Sequence, residues 1–363
     1  MGRWKIGSFT AALGCIALGV IIVMAQYNMI SYAVLGFLWP ALLILFGLEM
    51  LLRLFIKSDV KSRVSGWAIL LIIVLIGASG AQSVMAGGSL SSLIGNTHLT
   101  PLSGKMEVKD NITTLKIILP SGKVKVEGVT RSAMDYEGSL LLPGNSQGEA
   151  ESALEKKWKI TTEGDALIME LDSDHNWFSN IQFGFNTKSP YLNVNVPDNL
   201  AVEVETSDGS IEAWNLKSGI QVDTSNGTLN IHDVNGGVDG HTSNGSMTVQ
   251  NIQGEVKLGS SNGAIVLNNI DGALSAKSSN GKITVNSAVT GEWKLKSSNG
   301  KIIVSLPGVS DAKITADTSN GSIKGNVPWE LDGDSHGTAI LGKATHTVDL
   351  STSNGSVTVD KAE

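Results

Sequence analysis

The chain has a single cysteine, Cys15, among its 363 residues, and that cysteine lies in an apolar stretch. A disulfide within the chain is therefore excluded, and so is a site built from several thiolates, so backbone pairing has to supply the order. Also missing are the zinc-protease helix motif, the serine-nucleophile elbow, a phosphate-binding glycine loop and paired-cysteine metal sites. The six histidines, at 98, 175, 232, 241, 336 and 346, are scattered, and His232 and His241 fall on different faces of the repeat described below. Gly236-Gly237-Val238-Asp239-Gly240 has the flavour of a calcium-binding repeat, but its carboxylate does not recur at that position. No catalytic residue, metal or cofactor is expected, and the chain does not read as an enzyme.

Basic residues are in the minority as well. Lys and Arg number 27 against 34 Asp and Glu, and setting aside the six cations and two acids before residue 87 leaves 21 against 32. Such an acidic surplus excludes a broad nucleic-acid-binding role.

What is abundant is one short motif. Ser-Asn-Gly, once Ser-Asp-Gly, occurs with its middle residue at Asp208, Asn226, Asn244, Asn262, Asn280, Asn299, Asn320 and Asn354, at intervals of 18, 18, 18, 18, 19, 21 and 34 residues. The glycines that follow are Gly209, Gly227, Gly245, Gly263, Gly281, Gly300, Gly321 and Gly355. A short constant period means one structural unit stacked on copies of itself. Within a unit such as 254–271, Val256 and Leu258 alternate with polar residues before the motif, and Ile265 and Leu267 do so after it. Each unit is therefore two short strands and two corners. Glycine at both corners is expected to supply positive φ.

Asn-Gly between alternating strands also signals a tight hairpin, so an antiparallel meander competes with a parallel solenoid. The column chemistry favours the solenoid. The residue before the Asn is serine in every unit, and the one before that is always Thr or Ser. Hairpins do not require identical neighbours, whereas stacked coils place like residues about 4.8 Å apart in hydrogen-bonded ladders. A propeller is disfavoured because its blades repeat at about 40 residues or more.

The solenoid is expected over 201–363, with an insertion near 325–345 that crosses or closes the last coils. Residues 110–200 read as degenerate first coils, since Leu115, Ile117 and Leu119, then Val124, Val126 and Val129, flank Pro120-Ser121-Gly122. A short helix is expected near 149–158, where strong helix formers run without Gly or Pro. The aromatic-rich stretch 172–190 is expected to pack over an open coil end.

Ahead of a linker at 87–109, residues 1–86 hold three apolar stretches, at about 9–27, 30–52 and 67–85, each long enough to cross a hydrocarbon core of about 30 Å. The fold class expected is thus three transmembrane α-helices followed by an all-β domain, a parallel β-solenoid with two short strands per coil of about 18 residues. Arg3 and Lys5 precede the first stretch and Arg53, Lys57, Lys61 and Arg63 follow the second, so the N-terminus is expected in the cytoplasm and the repeat domain outside. A cleaved signal peptide is not expected, because no small-x-small site follows the first stretch.

These residues carry two resemblances. Leu192-Asn193-Val194-Asn195-Val196-Pro197, leading into Val202-Glu203-Val204-Glu205-Thr206-Ser207-Asp208-Gly209 and the Ser-Asn-Gly train, resembles the bacterial "putative-adhesin" β-strand repeat family, a domain of unknown function. That resemblance covers roughly 110–363 and implies a surface β-solenoid. Ala11-Ala12-Leu13-Gly14 with Leu38-Trp39-Pro40-Ala41-Leu42-Leu43-Ile44-Leu45-Phe46-Gly47-Leu48-Glu49 is similar to the transmembrane region of LiaF-type envelope-stress proteins. That second resemblance implies a membrane sensor kinase as partner.

One outward pattern suggests a ligand. Lys257, Lys277, Lys294 and Lys296 lie three or five places before an Asn, and Lys282 and Lys301 two places after one, so stacking gathers six lysines around one corner of three coils. Like charges so close repel unless an anion covers them, which points to an anionic cell-wall polymer or lipid headgroups; the bland alternative is a solvated lysine face relieved by Glu255 and Glu292. A second candidate is the flat, mostly uncharged face of Glu212, Trp214, Thr228, Asn230, Thr248, Gln250, Thr284 and Asn286. The sequence reads as a membrane-anchored cell-surface binding or structural module without catalysis, the alternative being a regulator of envelope stress.

Overall fold

The computed structural model describes residues 97–172 and 189–362, all within one compact unit. The first strands are β1 (Thr97–Glu107), β2 (Thr114–Ser121), β3 (Lys123–Val129), β4 (Ala133–Pro143), β5 (Trp158–Glu163), β6 (Ala166–Leu171) and β7 (Tyr191–Pro197). Helix α1 (Gln147–Lys157) lies between β4 and β5, opened by Ser146, whose hydroxyl accepts from the Glu149 N–H at 3.3 Å.

Six regular coils follow. Their first strands, β8 (Ala201–Asp208), β10 (Ile220–Thr224), β12 (Val238–Thr242), β14 (Val256–Ser260), β16 (Leu274–Ser278) and β18 (Trp293–Ser297), lie side by side in one sheet. Their second strands, β9 (Ile211–Leu216), β11 (Leu229–Val234), β13 (Met247–Gln253), β15 (Ile265–Asp271), β17 (Ile283–Asn286) and β19 (Ile302–Leu306), form the other. The sheet of the second strands is sheet one, that of the first strands sheet two. Every neighbour within the six coils pairs in parallel, with Val222 opposite Val204 and Gly240, and Ile231 opposite Ala213 and Val249. Parallel pairing at one coil's offset rules out a meander there.

The core is the space between the sheets. In one coil Val256, Leu258, Ile265, Leu267 and Ile270 are at most 4% exposed, the inward half of each period-two alternation. Burying each is worth about 1.5–3 kcal/mol, which the ordering of some 18 residues consumes in an isolated coil, so neighbours must stack to be stable. Trp293 fills one layer at 1% exposure, between Leu274 and Val348 in the register.

The ends depart from a simple coil. After β19 come β20 (Ala312–Thr318), β21 (Ile323–Lys324), β22 (Trp329–Asp332), β23 (His336–Leu341), β24 (His346–Thr352) and β25 (Val357–Lys361). Sheet two runs β22-β23-β20-β24-β18, and sheet one runs β19-β25-β21. The last coil in the chain, β24 and β25, therefore sits inside the stack, between its two predecessors. At the other end β2 lies between β6 and β8, and β3 between β7 and β9, so the first coil is also one layer in. The insertion expected near 325–345 is the antiparallel pair β22 and β23, which extends sheet two beyond β20. Antiparallel β1 and β4 extend sheet one past β7, and β5 extends sheet two past β6.

The expected fold class needs correction. The all-β part stands, but three transmembrane helices are not supported: among the described residues the sole helix is the 11-residue α1, and none is long and apolar enough to cross a membrane. The stretches at 9–27, 30–52 and 67–85 lie outside the described residues, as does nearly all of the aromatic segment at 172–190. Nor is the whole domain a coil of two strands per 18 residues, because antiparallel strands close both ends.

Candidate functional site

Three outward features could meet a partner: the corner ladder and the outer faces of the two sheets. At the corner, the side-chain amide of Asn226 donates to Asp208 Oδ1 at 2.6 Å, Asn244 to Asn226 at 2.8 Å, Asn262 to Asn244 at 2.8 Å, Asn280 to Asn262 at 2.8 Å and Asn299 to Asn280 at 2.7 Å. Asn354 then donates to Asn299 at 2.7 Å and Asn320 to Asn354 at 2.9 Å. The polarity runs one way, and the residue at its receiving end only has to accept. That is why Asp208 can be a carboxylate.

The hydroxyls two places before Asn226, Asn244, Asn280, Asn299, Asn320 and Asn354 are buried and tie adjacent corners together. Ser278, 1% exposed, donates to the carbonyl of Gly263 at 3.3 Å and accepts from the Gly281 N–H at 2.8 Å; Ser297 repeats this with Gly281 and Gly300. The exposed serines between, such as Ser225 and Ser243, instead supply backbone carbonyls to Asn244 N–H and Asn262 N–H.

The glycine at this corner is required for a reason other than positive φ, which none of the eight shows. A Cβ on Gly227 would overlap the carbonyl oxygen of Gly209, one on Gly263 that of Gly245, and one on Gly355 that of Gly300. In the regular coils positive φ belongs to the opposite corner, at Gly254 (147°) and Gly272 (149°).

Sequence reasoning missed a second ladder. Asn215, Asp233, Asn251 and Asn269 all have φ between 52° and 59°. Asn251 donates to Asp233 at 2.8 Å and Asn269 to Asn251 at 2.9 Å. Its signal was available, since these positions share the spacing of the first ladder. Hydrogen bonds from His232 and Asn251 hold the Asp233 carboxyl below the usual range.

The six lysines divide between two places. Lys277 and Lys296 are direct register partners on the outer face of sheet two, and Lys257 and Lys294 flank Ser275 in the adjacent outward row. Lys282 and Lys301 stand apart from that face, on the corner just before β17 and β19, one above the other. Lys257 pairs with Glu255 at 2.8 Å, which raises its pKa; among the described residues the other five form no ion pair.

Beside this basic block the same face carries an acidic one, which sequence reasoning did not single out. Glu203 and Glu205 on β8, Asp223 on β10 and Asp239 on β12 occupy the same two outward rows. Lys116 from β2 reaches Glu205 at 2.5 Å and Glu203 at 3.5 Å, and the hydrogen bond to Glu205 raises its pKa. His241 stands 3.3 Å from Asp239 and 3.9 Å from Asp223.

The outer face of sheet one is different. Trp214 stacks on His232 with ring centroids 5.9 Å apart and planes 11° from parallel, and Gln250, Asn268 and Asn286 continue the row across β13, β15 and β17. Asn230, Thr248 and Thr284 share the neighbouring row, interrupted by Val266. Glu212 is taken up by Lys123 at 3.0 Å and Lys125 at 3.4 Å, which hold its carboxyl below the usual range. His232 and His241 are on different sheets, and among the described residues no group of three or more His, Cys, Asp or Glu could hold a metal ion.

Comparison with known proteins places two segments. Residues 144–360 match the model of the Toastrack DUF4097 family, and residues 9–51 match the LiaI-LiaF-like transmembrane region. No curated protein matches the chain. Among solved structures it is similar to a crystal structure of a "putative adhesin" from Bacteroides fragilis, 13% identical over 72% of this chain and 97% of that one, with a TM-score of 0.43. It is similar to that of a "putative lipid binding protein" from Parabacteroides distasonis, 15% identical over 73% and 97%, at 0.39. A third is a "putative adhesin" from Parabacteroides merdae, 14% identical over 73% and 97%, at 0.34.

Proposed function

We propose, from the premise that the chain belongs to the Toastrack DUF4097 family, that it is a non-catalytic surface module, held at a membrane by its N-terminal region with the repeat domain outside the cytoplasm. Its lysine block contacts an anionic cell-wall polymer or anionic lipid headgroups. The observation that carries this reading is the unpaired set of Lys277, Lys294 and Lys296 on two neighbouring strands of a rigid sheet, flanked by Lys257. Lysines on parallel strands sit about 4.8 Å apart, where an anion relieves their mutual repulsion.

The test measures binding of the full-length chain to an anionic wall polymer and, separately, to vesicles with and without anionic lipid, across a salt series. Replacing Lys257, Lys277, Lys294 and Lys296 with Gln is expected to remove most of the salt-sensitive binding. Binding that is salt-insensitive and unchanged in that variant refutes the reading, and the two arms distinguish polymer from lipid.

The match at residues 9–51 supports a second reading, a regulator of envelope stress that acts on a membrane sensor. Exchanging the N-terminal membrane region for an unrelated anchor preserves a surface-binding role and abolishes a regulatory one. The readouts are surface attachment and envelope-stress transcription in the same strain.

A further inference from the structure

We infer that two copies of this chain pair face to face through the outer surface of sheet two, about a two-fold axis running along the strands between β12 and β14. The inference rests on the order of charges along the stack. In one outward row, from β8 to β18, the residues are Glu205, Asp223, His241, Gly259, Lys277 and Lys296. In the adjacent row they are Glu203, Gln221, Asp239, Lys257, Ser275 and Lys294. Acid fills one half of each row and lysine the other.

A two-fold axis at the midpoint reverses the stack direction and keeps each row opposite itself. Glu205 then faces the partner's Lys296, Asp223 the partner's Lys277, Glu203 the partner's Lys294 and Asp239 the partner's Lys257. Between them Gln221 meets the partner's Ser275, and beside the axis the His241 ring lies over Gly259 of its own chain. One layer further out, Lys116 on β2 faces the partner's Asp349 on β24, since these positions adjoin Glu203 and Lys294 in the register. Each contact occurs twice, as in any isologous interface.

The placement of the axis is specific. Moved half a coil, onto β12, it would set Asp239 against the partner's Asp239 and leave Glu203 facing the partner's Ser275. The groups are also available. The side chains of Glu203, Glu205, Asp223, Asp239 and Lys257 remain 39%, 46%, 46%, 44% and 53% exposed despite the bonds from Lys116 to the two glutamates and from Lys257 to Glu255. Exposed ion pairs are individually weak, but here they form a two-row network on a rigid sheet, the arrangement in which they count. The pairing goes beyond the anionic-ligand reading and bears on it, because a second copy covers the lysines and an anionic polymer competes for them.

The experiment is sedimentation of the full-length chain in neutral detergent, without polymer or anionic lipid, at about 50 mM and about 500 mM salt, a change that shortens the screening length roughly threefold. The wild type is expected to dimerise at low salt and to weaken by about tenfold or more at high salt. The double variants Glu205→Lys/Asp223→Lys and Lys277→Glu/Lys296→Glu, at half-buried and exposed outward positions respectively and checked for unchanged β-sheet circular dichroism, each lose self-pairing. Mixed in equal amounts they form a heterodimer, because each now offers the charge that the other lacks. The inference is overturned if the wild type shows no salt-sensitive dimer, if either variant dimerises like the wild type, or if the mixture does not pair. Failure of the polymer reading is separable: Lys277→Glu/Lys296→Glu abolishes polymer binding as well as pairing, whereas Glu205→Lys/Asp223→Lys abolishes pairing alone.

Discussion

Asn354 donates its side-chain amide to Asn299, 55 residues earlier in the chain, and accepts in turn from Asn320, which precedes it by 34. The ladder that looks sequential in the chain is thus out of order in space at its far end, and the polarity of its hydrogen bonds is preserved through the exchange.

That polarity makes the ladder's first two members respond differently to one chemical change. Asp208→Asn keeps the accepting oxygen and is expected to be nearly neutral. Asn226→Asp removes the donor and sets a carboxylate against that of Asp208, so it is expected to cost about 1–2 kcal/mol, a lost hydrogen bond plus like-charge repulsion. Thermal unfolding of the two variants side by side checks the asymmetry.

Gly263→Ala introduces a methyl group where the Gly245 carbonyl oxygen lies. The obstruction is backbone rather than a movable side chain, so a loss of about 3 kcal/mol or more is expected, the upper end of overpacking costs. Gly164→Ala, where nothing lies within 4 Å of the added carbon but φ is 64°, is expected to cost only about 1 kcal/mol. Chemical denaturation that ranked the two in reverse would contradict the close-packed glycine column.

Trp293 is the largest of the fully buried side chains, and its indole nitrogen has no hydrogen-bond partner among the described residues. Its contribution is therefore packing alone. Trp293→Ala is expected to cost about 3–5 kcal/mol and Trp293→Leu, which retains much of the volume and orphans no donor, distinctly less. Denaturant midpoints of the two variants give the comparison.

Asp311 clamps the segment that leads into β24, accepting from the Thr345 N–H and hydroxyl, each at 2.9 Å. The backbone bond from Thr345 is the main reason its carboxyl titrates below the usual range. A lowered folded-state value means stability that is present above the unfolded pKa of about 3.9 and is lost as pH falls through the folded value. Amide hydrogen exchange at β24 is expected to quicken in acid relative to β14, and Asp311→Asn to remove that difference.

The repeat was legible because one chemistry recurs at one spacing. Asn244, Asn262 and Asn280 with their hydroxyls and glycines could be aligned by eye, and the alternation of Val256 and Leu258 gave the inward face. The layer order at the ends was not legible, because Leu115 to Val126 and Val348 to Val359 alternate just as interior coils do, and nothing local states which neighbours they take. Glycine at the first corner was recognised for the wrong cause, since close approach between layers leaves the same residue in the sequence as positive φ does. The second ladder, from Asn215 to Asn269, was hidden by the stronger motif beside it. The charge order of sheet two emerged only once register set Glu203, Glu205, Asp223 and Asp239 in the same two rows as the lysines.

A stack of like coils normally zips up from any layer and peels from either end. Here the layer of β24 and β25 follows β18 to β21 in chain order yet has to seat between the layers those strands form, so the stack is completed by insertion and not by addition at an edge. Once seated, a pull on β24 or β25 loads hydrogen bonds on both sides of the strand at once. A pull that would unzip an edge strand one bond at a time must instead shear two ladders together.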